Sequence, residues 1–133
     1  TERTNKKALK TLSEFISRLD VKVLLIPPDI HDLAVAGISH MPLAVAYALV
    51  NTICDTKIAK EEMLQLASSG FRDTTRIAAG NVKMGTDMFI TNKTAVLKMI
   101  DEFKKSLTKL EEIIKEGDPQ KISEELEKAK KFP

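Results

Sequence analysis

A second cysteine, any tryptophan and a strong net charge are all missing from this chain of 133 residues. The lone Cys54 cannot form an internal disulfide or a zinc site, which favours a reducing compartment and a purely structural thiol. The 21 Lys and Arg nearly balance the 19 Asp and Glu, leaving a net charge of +2. Nucleic-acid-binding proteins usually carry a basic stripe, so this balance argues against that class.

Targeting and nucleotide-binding signals are missing as well. No signal-peptide pattern stands at Thr1, and no apolar run approaches the roughly eighteen residues that a membrane span needs. The glycine loops GxGxxG and GxxxxGK[ST], which cradle phosphates, do not occur. These absences predict a soluble, cytoplasmic protein that binds neither membrane nor nucleic acid.

What the chain does have begins with a helix pattern and a strand pattern. Residues 21–26, VKVLLI, form a short aliphatic run stopped by Pro27, which favours a buried strand. A strand needs a neighbour for its backbone groups, and no second strand pattern occurs. This orphan strand is expected to pair with another copy or with a sheet outside the chain. The preceding residues 4–19 predict a helix whose apolar face comprises Leu9, Leu12, Phe15, Ile16 and Leu19.

Residues 29–53 predict a long helix that is apolar on nearly every side and therefore central. Pro42 lies within it, and proline removes a helical hydrogen bond and clashes with the preceding turn. A kink or break is expected near residues 38–42, next to Ser39 and His40.

The remaining sequence predicts short helices and then two longer ones. Residues 58–67 form one short helix, and two more follow around a turn near Gly80. Asn92 is expected to cap a helix over residues 93–116, which Gly117 ends; a last helix then starts at Pro119. The 93–116 helix carries a coiled-coil-like apolar seam of Val96, Ile100, Phe103, Leu107, Leu110 and Ile114.

The two histidines lie nine residues apart, which on a helix is about two and a half turns. They therefore point to opposite faces and cannot share a metal ion. His40 has two interpretations, a core histidine bonded to a backbone carbonyl or a switchable donor that faces a polar cleft. His31, beside Asp32, is expected to be a surface feature at the helix start.

The stretch GFRDTTRIA carries two arginines four residues apart, so on a helix Arg72 and Arg76 share one side. Asp73 is spaced to orient Arg76. Apolar residues bracket the pair, so at least one arginine is expected near buried surface, where it needs an anionic partner. Two interpretations stay open: a solvated ion pair of little energetic value, or an arginine fork that holds a carboxylate ligand.

HDLAVAGISHMP, then GFRDTTRIA, then the long closing helices resemble the C-terminal part of prephenate dehydrogenases, NAD(P)-dependent oxidoreductases of tyrosine biosynthesis. The resemblance covers essentially the whole chain and implies a mainly α fold. Residues 29–133 would form an all-helical substrate-binding and dimerisation domain. Residues 1–28 would be the last helix and strand of a truncated dinucleotide-binding domain, which would supply the sheet for the orphan strand.

The resemblance also implies the reaction and the residues for it. Family members decarboxylate prephenate oxidatively to 4-hydroxyphenylpyruvate and reduce NAD or NADP. His40 and Ser39 would line the substrate pocket, and Arg76 would hold a carboxylate of this dicarboxylate. Asp73 would orient the charged groups, and Arg72 would add positive charge. The family's catalytic histidine and cofactor-binding glycines have no counterpart here, so the chain alone is expected to be inactive, without cofactor or metal.

Two positions depart from the family pattern. The second histidine of its SHxPH motif is Leu43, and the tryptophan of its MW pair is missing, since Gly85 follows Met84. The choice between prephenate, arogenate and a related acid therefore stays open. So do two other readings: a freestanding helical dimerisation or anion-binding module, and the helical domain of another nicotinamide-dependent acid dehydrogenase. In each, the surplus of apolar helical surface predicts a homodimer.

Overall fold

A computed structural model describes residues 2–131, and the chain over that range is helical. The mainly α prediction is confirmed. In chain order the elements are α1 Lys6–Ser17, α2 Pro28–Val35, a π-helical turn Ala36–His40, α3 Met41–Asp55, α4 Lys60–Gln65, α5 Ser69–Thr75, a 3₁₀ helix Arg76–Ala79, α6 Val82–Thr91, α7 Lys93–Glu116 and α8 Pro119–Lys130.

The predicted orphan strand is wrong for this structure, because no β-strand occurs between residues 2 and 131. Residues 21–27 have no regular secondary structure. The physical reason is the missing neighbour: an isolated strand would leave its donors and acceptors without partners. Leu24 and Leu25 are 66% and 70% exposed, so the apolar run lies uncovered on the surface.

The first helix forms because its end is capped and its residues favour helix. Asn5 accepts hydrogen bonds at its side chain from the backbone N–H of Lys7, at 2.9 Å, and of Ala8, at 3.1 Å. The apolar face is only partly covered: Leu9 and Ile16 are half-buried, whereas Leu12 and Phe15 are 56% and 60% exposed. Helix α1 therefore depends on contacts that the described residues do not supply.

The central helix runs without a break from Pro28 to Asp55. The departure expected near Pro42 is a π-helical turn, in which the N–H of Met41 bonds to the carbonyl of Ala36. A π turn widens the backbone by one residue, so the helix absorbs the proline without ending. His40 is the last residue of this turn.

The same 28-residue helix is long and apolar enough to cross a membrane, judged by length and composition alone. This corrects the expectation that no apolar stretch is long enough. Core helices of soluble proteins meet the same criterion, but only 11% of the apolar stretch is buried within the chain. Much apolar surface on this helix therefore lies uncovered.

The core of the described chain is small. Its buried apolar side chains are Ala36, Leu43, Ala46 and Val96, at the crossing of the central helix with α7. The seam on α7 is buried only at Val96. Ile100, Phe103 and Leu110 are half-buried, and Leu107 and Ile114 are more than half exposed. The described part of one chain therefore leaves much of the apolar surface of its helices exposed.

The last two helices pair through a polar bridge. Helix α7 ends at Gly117, whose φ of 69° is left-handed, and the side chain of Asp118 then caps α8. The Lys109 ammonium donates to both carboxylate oxygens of Glu125 at 2.9 Å. Hydrogen bonds from Lys109 and Lys128 lower the pKa of Glu125 below its usual range.

Candidate substrate cleft

An open cleft of about 500 Å³ lies between the π-helical turn and α6. His40 contributes from the turn, and the other lining residues come from α6 and its N-terminal end. The residues from that second wall are Asn81, Lys83, Met84, Asp87, Met88 and Thr91. We refer to this space as the His40 cleft.

The wall formed by α6 is fixed by its cap and by a close helix contact. The Asn81 side chain accepts a hydrogen bond from the Met84 N–H at 3.0 Å, which starts the helix. Gly85 is buried, and a Cβ built on it would lie 3.5 Å from Leu43 Cδ2 and 3.7 Å from the Tyr47 hydroxyl. A side chain at position 85 would therefore meet Leu43 and Tyr47 of α3 at ordinary van der Waals distance.

The His40 side chain lies next to Asn92, a residue that the sequence predicts to be a helix cap. Asn92 was expected to cap α7, and the helix does start at Lys93, but the Asn92 side chain makes no capping hydrogen bond. Its amide nitrogen instead donates to the backbone carbonyl of Asp32 at 2.7 Å and lies 3.3 Å from His40 Nδ1. The tertiary contact replaces the local one. Thus Asn92 joins the start of α7 to α2 and to the cleft.

A charged pair also borders the cleft. The Lys83 ammonium lies 2.6 Å from the Asp87 carboxylate, one helical turn away on α6. Both side chains are exposed, so the pair contributes little to stability. It does place one cation and one anion beside His40, which gives the cleft hydrogen-bonding groups of both signs. Sequence reasoning missed both residues, because an i,i+4 pair on a helix is typical of any solvated face.

The arginines lie elsewhere in the described chain. Arg72 and Arg76 are exposed and are not among the residues that line the His40 cleft. They lie on α5 and the 3₁₀ helix, which pack against α3. The expectation that one of them is near buried surface is not met within the chain.

The predicted contact between Asp73 and Arg76 is also wrong for this structure. Between residues 2 and 131 no ion pair joins them within 4 Å, and both side chains are exposed. The backbone changes from α to 3₁₀ geometry between the two residues. Because water already solvates each of these exposed charges, an ion pair between them would stabilise the protein little.

The other polar candidates are at the surface. Ser39 is exposed beside His40, and His31 Nδ1 lies 3.1 Å from the Asp32 carboxylate, as expected for a surface feature. Cys54 is an exposed free thiol. Within residues 2–131, no group of three or more His, Cys, Asp or Glu side chains could hold a metal ion.

The two departures from the family pattern are neighbours in space. Leu43 stands where the pattern has a histidine, and its side chain packs onto Gly85, which stands near the missing tryptophan. Leu43 is 8% exposed. An apolar side chain and a glycine therefore meet between α3 and α6, and neither residue lines the His40 cleft.

Residues 2–131 bury four apolar side chains and form an open cleft at His40, which is the character of a domain whose core and site are completed by further protein. A family model described as "Prephenate dehydrogenase, dimerization domain" matches residues 27–128. The chain belongs to this family of dehydrogenase dimerisation domains, and the resemblance inferred from the sequence motifs is confirmed.

Curated relatives and solved structures agree with this placement. Prephenate dehydrogenase of Lactococcus lactis is 35% identical over 91% of this chain, and that of Bacillus subtilis is 27% identical over 98%. The arogenate dehydrogenase structure from Synechocystis has a TM-score of 0.89 at 35% identity. Prephenate dehydrogenase from Aquifex aeolicus, in complex with hydroxyphenyl propionate and NAD+, gives the same two values.

This chain covers only part of those proteins. It spans 34% and 35% of the Lactococcus and Bacillus enzymes, although each match includes at least nine-tenths of the chain. It covers 48% and 46% of the Synechocystis and Aquifex structures. The similarity therefore describes one part of a longer family architecture.

Proposed function

We propose that this chain is the C-terminal part of an NAD(P)-dependent dehydrogenase that decarboxylates prephenate oxidatively to 4-hydroxyphenylpyruvate. The chain contributes one wall of the substrate pocket and the dimer interface of a cytoplasmic enzyme. The observation that carries the proposal is the family match over residues 27–128, with His40 lining an open cleft. Residues 1–28 belong, in this proposal, to the preceding nucleotide-binding domain.

Within the pocket, His40 donates a hydrogen bond to substrate and Ser39 lies beside it. Arg76 holds a carboxylate, while Asp73 and Arg72 tune the charge around it. The support for the arginine roles is the family resemblance, since both arginines are exposed in the chain taken alone. An exposed guanidinium is free to bind a carboxylate in a bidentate arrangement.

The residues present do not fit a resident NAD or NADP. A dinucleotide is held by a glycine-rich turn at a helix N-terminus, and no such loop exists among the five glycines of this chain. We assign the cofactor to a domain outside the chain. What these residues supply is substrate binding and orientation.

Arogenate is the alternative substrate. The Synechocystis arogenate dehydrogenase is as similar as the Aquifex prephenate dehydrogenase, and Zymomonas mobilis cyclohexadienyl dehydrogenase is 26% identical over 96% of the chain. Leu43, which replaces a histidine of the family motif, removes one polar group near the cleft. Substrate choice therefore depends on groups that flank His40 rather than on the fold.

The test uses the intact protein and measures NAD(P)H production with prephenate and with arogenate. His40→Ala and Arg76→Ala are each expected to raise KM about tenfold to a hundredfold, because hydrogen bonds to charged groups contribute roughly 1.5–3 kcal/mol. His31→Ala is the matched control, since His31 lies on the same helix but does not line the cleft; its KM should stay within about twofold.

Two results would contradict the proposal. Unchanged KM in His40→Ala would remove His40 from the pocket. Absence of dehydrogenation with either acid, in an intact protein that still dimerises, would favour a non-catalytic helical module. Calorimetry with each acid then shows whether that module binds carboxylates at all.

A further inference from the structure

Asn92 occupies an unusual position for a residue at a helix start. Its φ of −115° and ψ of 31° lie outside the helical region, and its backbone carbonyl already accepts the first hydrogen bond of α7, from Val96 N–H at 3.0 Å. The side chain makes no capping hydrogen bond to α7. It reaches 60 residues back in sequence, to the carbonyl of Asp32.

The Asp32 contact fixes the orientation of the amide. A backbone carbonyl can only accept a hydrogen bond, so the group that faces it at 2.7 Å must be the amide NH₂ and not the amide oxygen. The same NH₂ has a second hydrogen, and His40 Nδ1 lies 3.3 Å away. The amide thus presents a donor to the imidazole.

A donor at this position selects one form of the imidazole. To accept from Asn92, Nδ1 of His40 must carry a lone pair, so the proton of the neutral ring is on Nε2. Among the described residues His40 has no other hydrogen-bonding partner, and no unsatisfied side-chain nitrogen is buried. Because His40 lines the open cleft and its Nδ1 faces Asn92, Nε2–H is the group that His40 offers to the cleft.

We propose that Asn92 is a positioning residue that fixes His40 in the Nε2–H tautomer, so that the cleft wall presents a neutral hydrogen-bond donor. The ligand group that fits this donor is an oxygen acceptor, a carboxylate, carbonyl or hydroxyl of the substrate. The tautomer itself is independent of any substrate; its use in substrate binding rests on the function proposed above.

The experiment measures ¹⁵N chemical shifts of the imidazole in the intact protein at pH of about 8, above the ordinary histidine pKa of about 6.5. His40 is assigned by the signal lost in His40→Gln. In the wild type, Nδ1 is expected to resonate as an unprotonated nitrogen and Nε2 as a protonated one. A protonated Nδ1 in the wild type overturns the inference without any variant.

Asn92→Asp reverses the contact, because a carboxylate accepts where the amide donated. A proton on His40 Nδ1 is then expected, and KM for prephenate should rise about tenfold through loss of the aligned donor. Asn51→Asp is the matched control, since Asn51 is exposed on α3. It makes the same charge change and should leave both readouts as in the wild type.

The two readouts separate the two claims. An unchanged His40 tautomer in a folded Asn92→Asp protein overturns the positioning role. A reversed tautomer with unchanged KM supports the positioning role and instead contradicts substrate binding by His40, which is part of the proposed function.

Discussion

At the scale of single residues, Gly117 and Gly70 differ in backbone geometry. Gly117 ends α7 with φ of 69°, where a side chain strains the backbone. Gly70 lies within α5, shows no left-handed φ, and a Cβ built there meets no atom within 4 Å. The same substitution should therefore act in opposite directions at the two positions.

We expect Gly117→Ala to destabilise the last turn of α7 by roughly 1–2 kcal/mol, the cost of a left-handed residue with a side chain. Gly70→Ala should stabilise α5 by about 0.5–1 kcal/mol, because the unfolded chain loses freedom and the folded one gains no clash. Hydrogen exchange in the intact protein reports both local opening free energies. Equal effects at the two sites would contradict this assignment of the conformations.

His40 illustrates what a residue type leaves undecided. The sequence is compatible with a core histidine or with a hydrogen-bond donor in a cleft, because the apolar residues around His40 in the helix fit either interpretation. The structure brings Asn92 to Nδ1 from 52 positions away, and it opens a cleft on the other side. No sequence pattern signals this contact, since asparagine before a helix is usually a cap.

At the scale of helices, α6 is positioned by how closely it approaches α3. Gly85 is buried against Leu43 and Tyr47, and α6 supplies most of the cleft wall. A side chain larger than that of alanine at position 85 must push the two helices apart. Stability and the geometry of the cleft are thereby linked at one position.

We expect Gly85→Leu to destabilise the protein by about 1–3 kcal/mol through overpacking and to raise KM. Gly85→Ala is the control, because its Cβ at 3.5 Å makes an ordinary contact and alanine favours helix by up to about 1 kcal/mol over glycine. Thermal unfolding and steady-state kinetics of the intact variants check this. If Gly85→Leu is as stable as Gly85→Ala, α6 does not pack on α3 as described.

At the scale of the whole molecule, the apolar surface exceeds what the chain covers. An apolar groove of about 500 Å³ runs between α3, α6 and α7, beside the partly exposed Leu97 and Ile90. The family to which the chain belongs is defined by a dimerisation domain. We expect a second copy to cover this groove, as it would also cover the central helix.

A charge in the groove should therefore weaken the dimer. Leu97→Asp is expected to shift the intact protein toward monomer, because the carboxylate would be buried without a partner. Lys98→Asp places the same side chain on the neighbouring exposed position of α7 and should leave the dimer intact. Sedimentation or light scattering measures the outcome. A stable Leu97→Asp dimer would place the interface elsewhere.

The sequence alone determined much of the helical architecture, because those signals are local. The period of the apolar residues, Pro119 at the start of α8, and Gly117 as a stop all depend on a few adjacent residues. The helix over 93–116 was predicted to the residue. The family was also readable, since its motifs are contiguous stretches of residues.

Only the tertiary structure decided the remaining features, because they depend on partners distant in sequence. The run at 21–26 has the composition of a strand, but a strand exists only where another strand pairs with it. Arg76 and Asp73 have the spacing of a pair, yet exposed charges gain too little from pairing to hold that geometry. The Asn92 side chain does not cap α7 but contacts the Asp32 carbonyl and the His40 imidazole, which only the folded chain brings close to it.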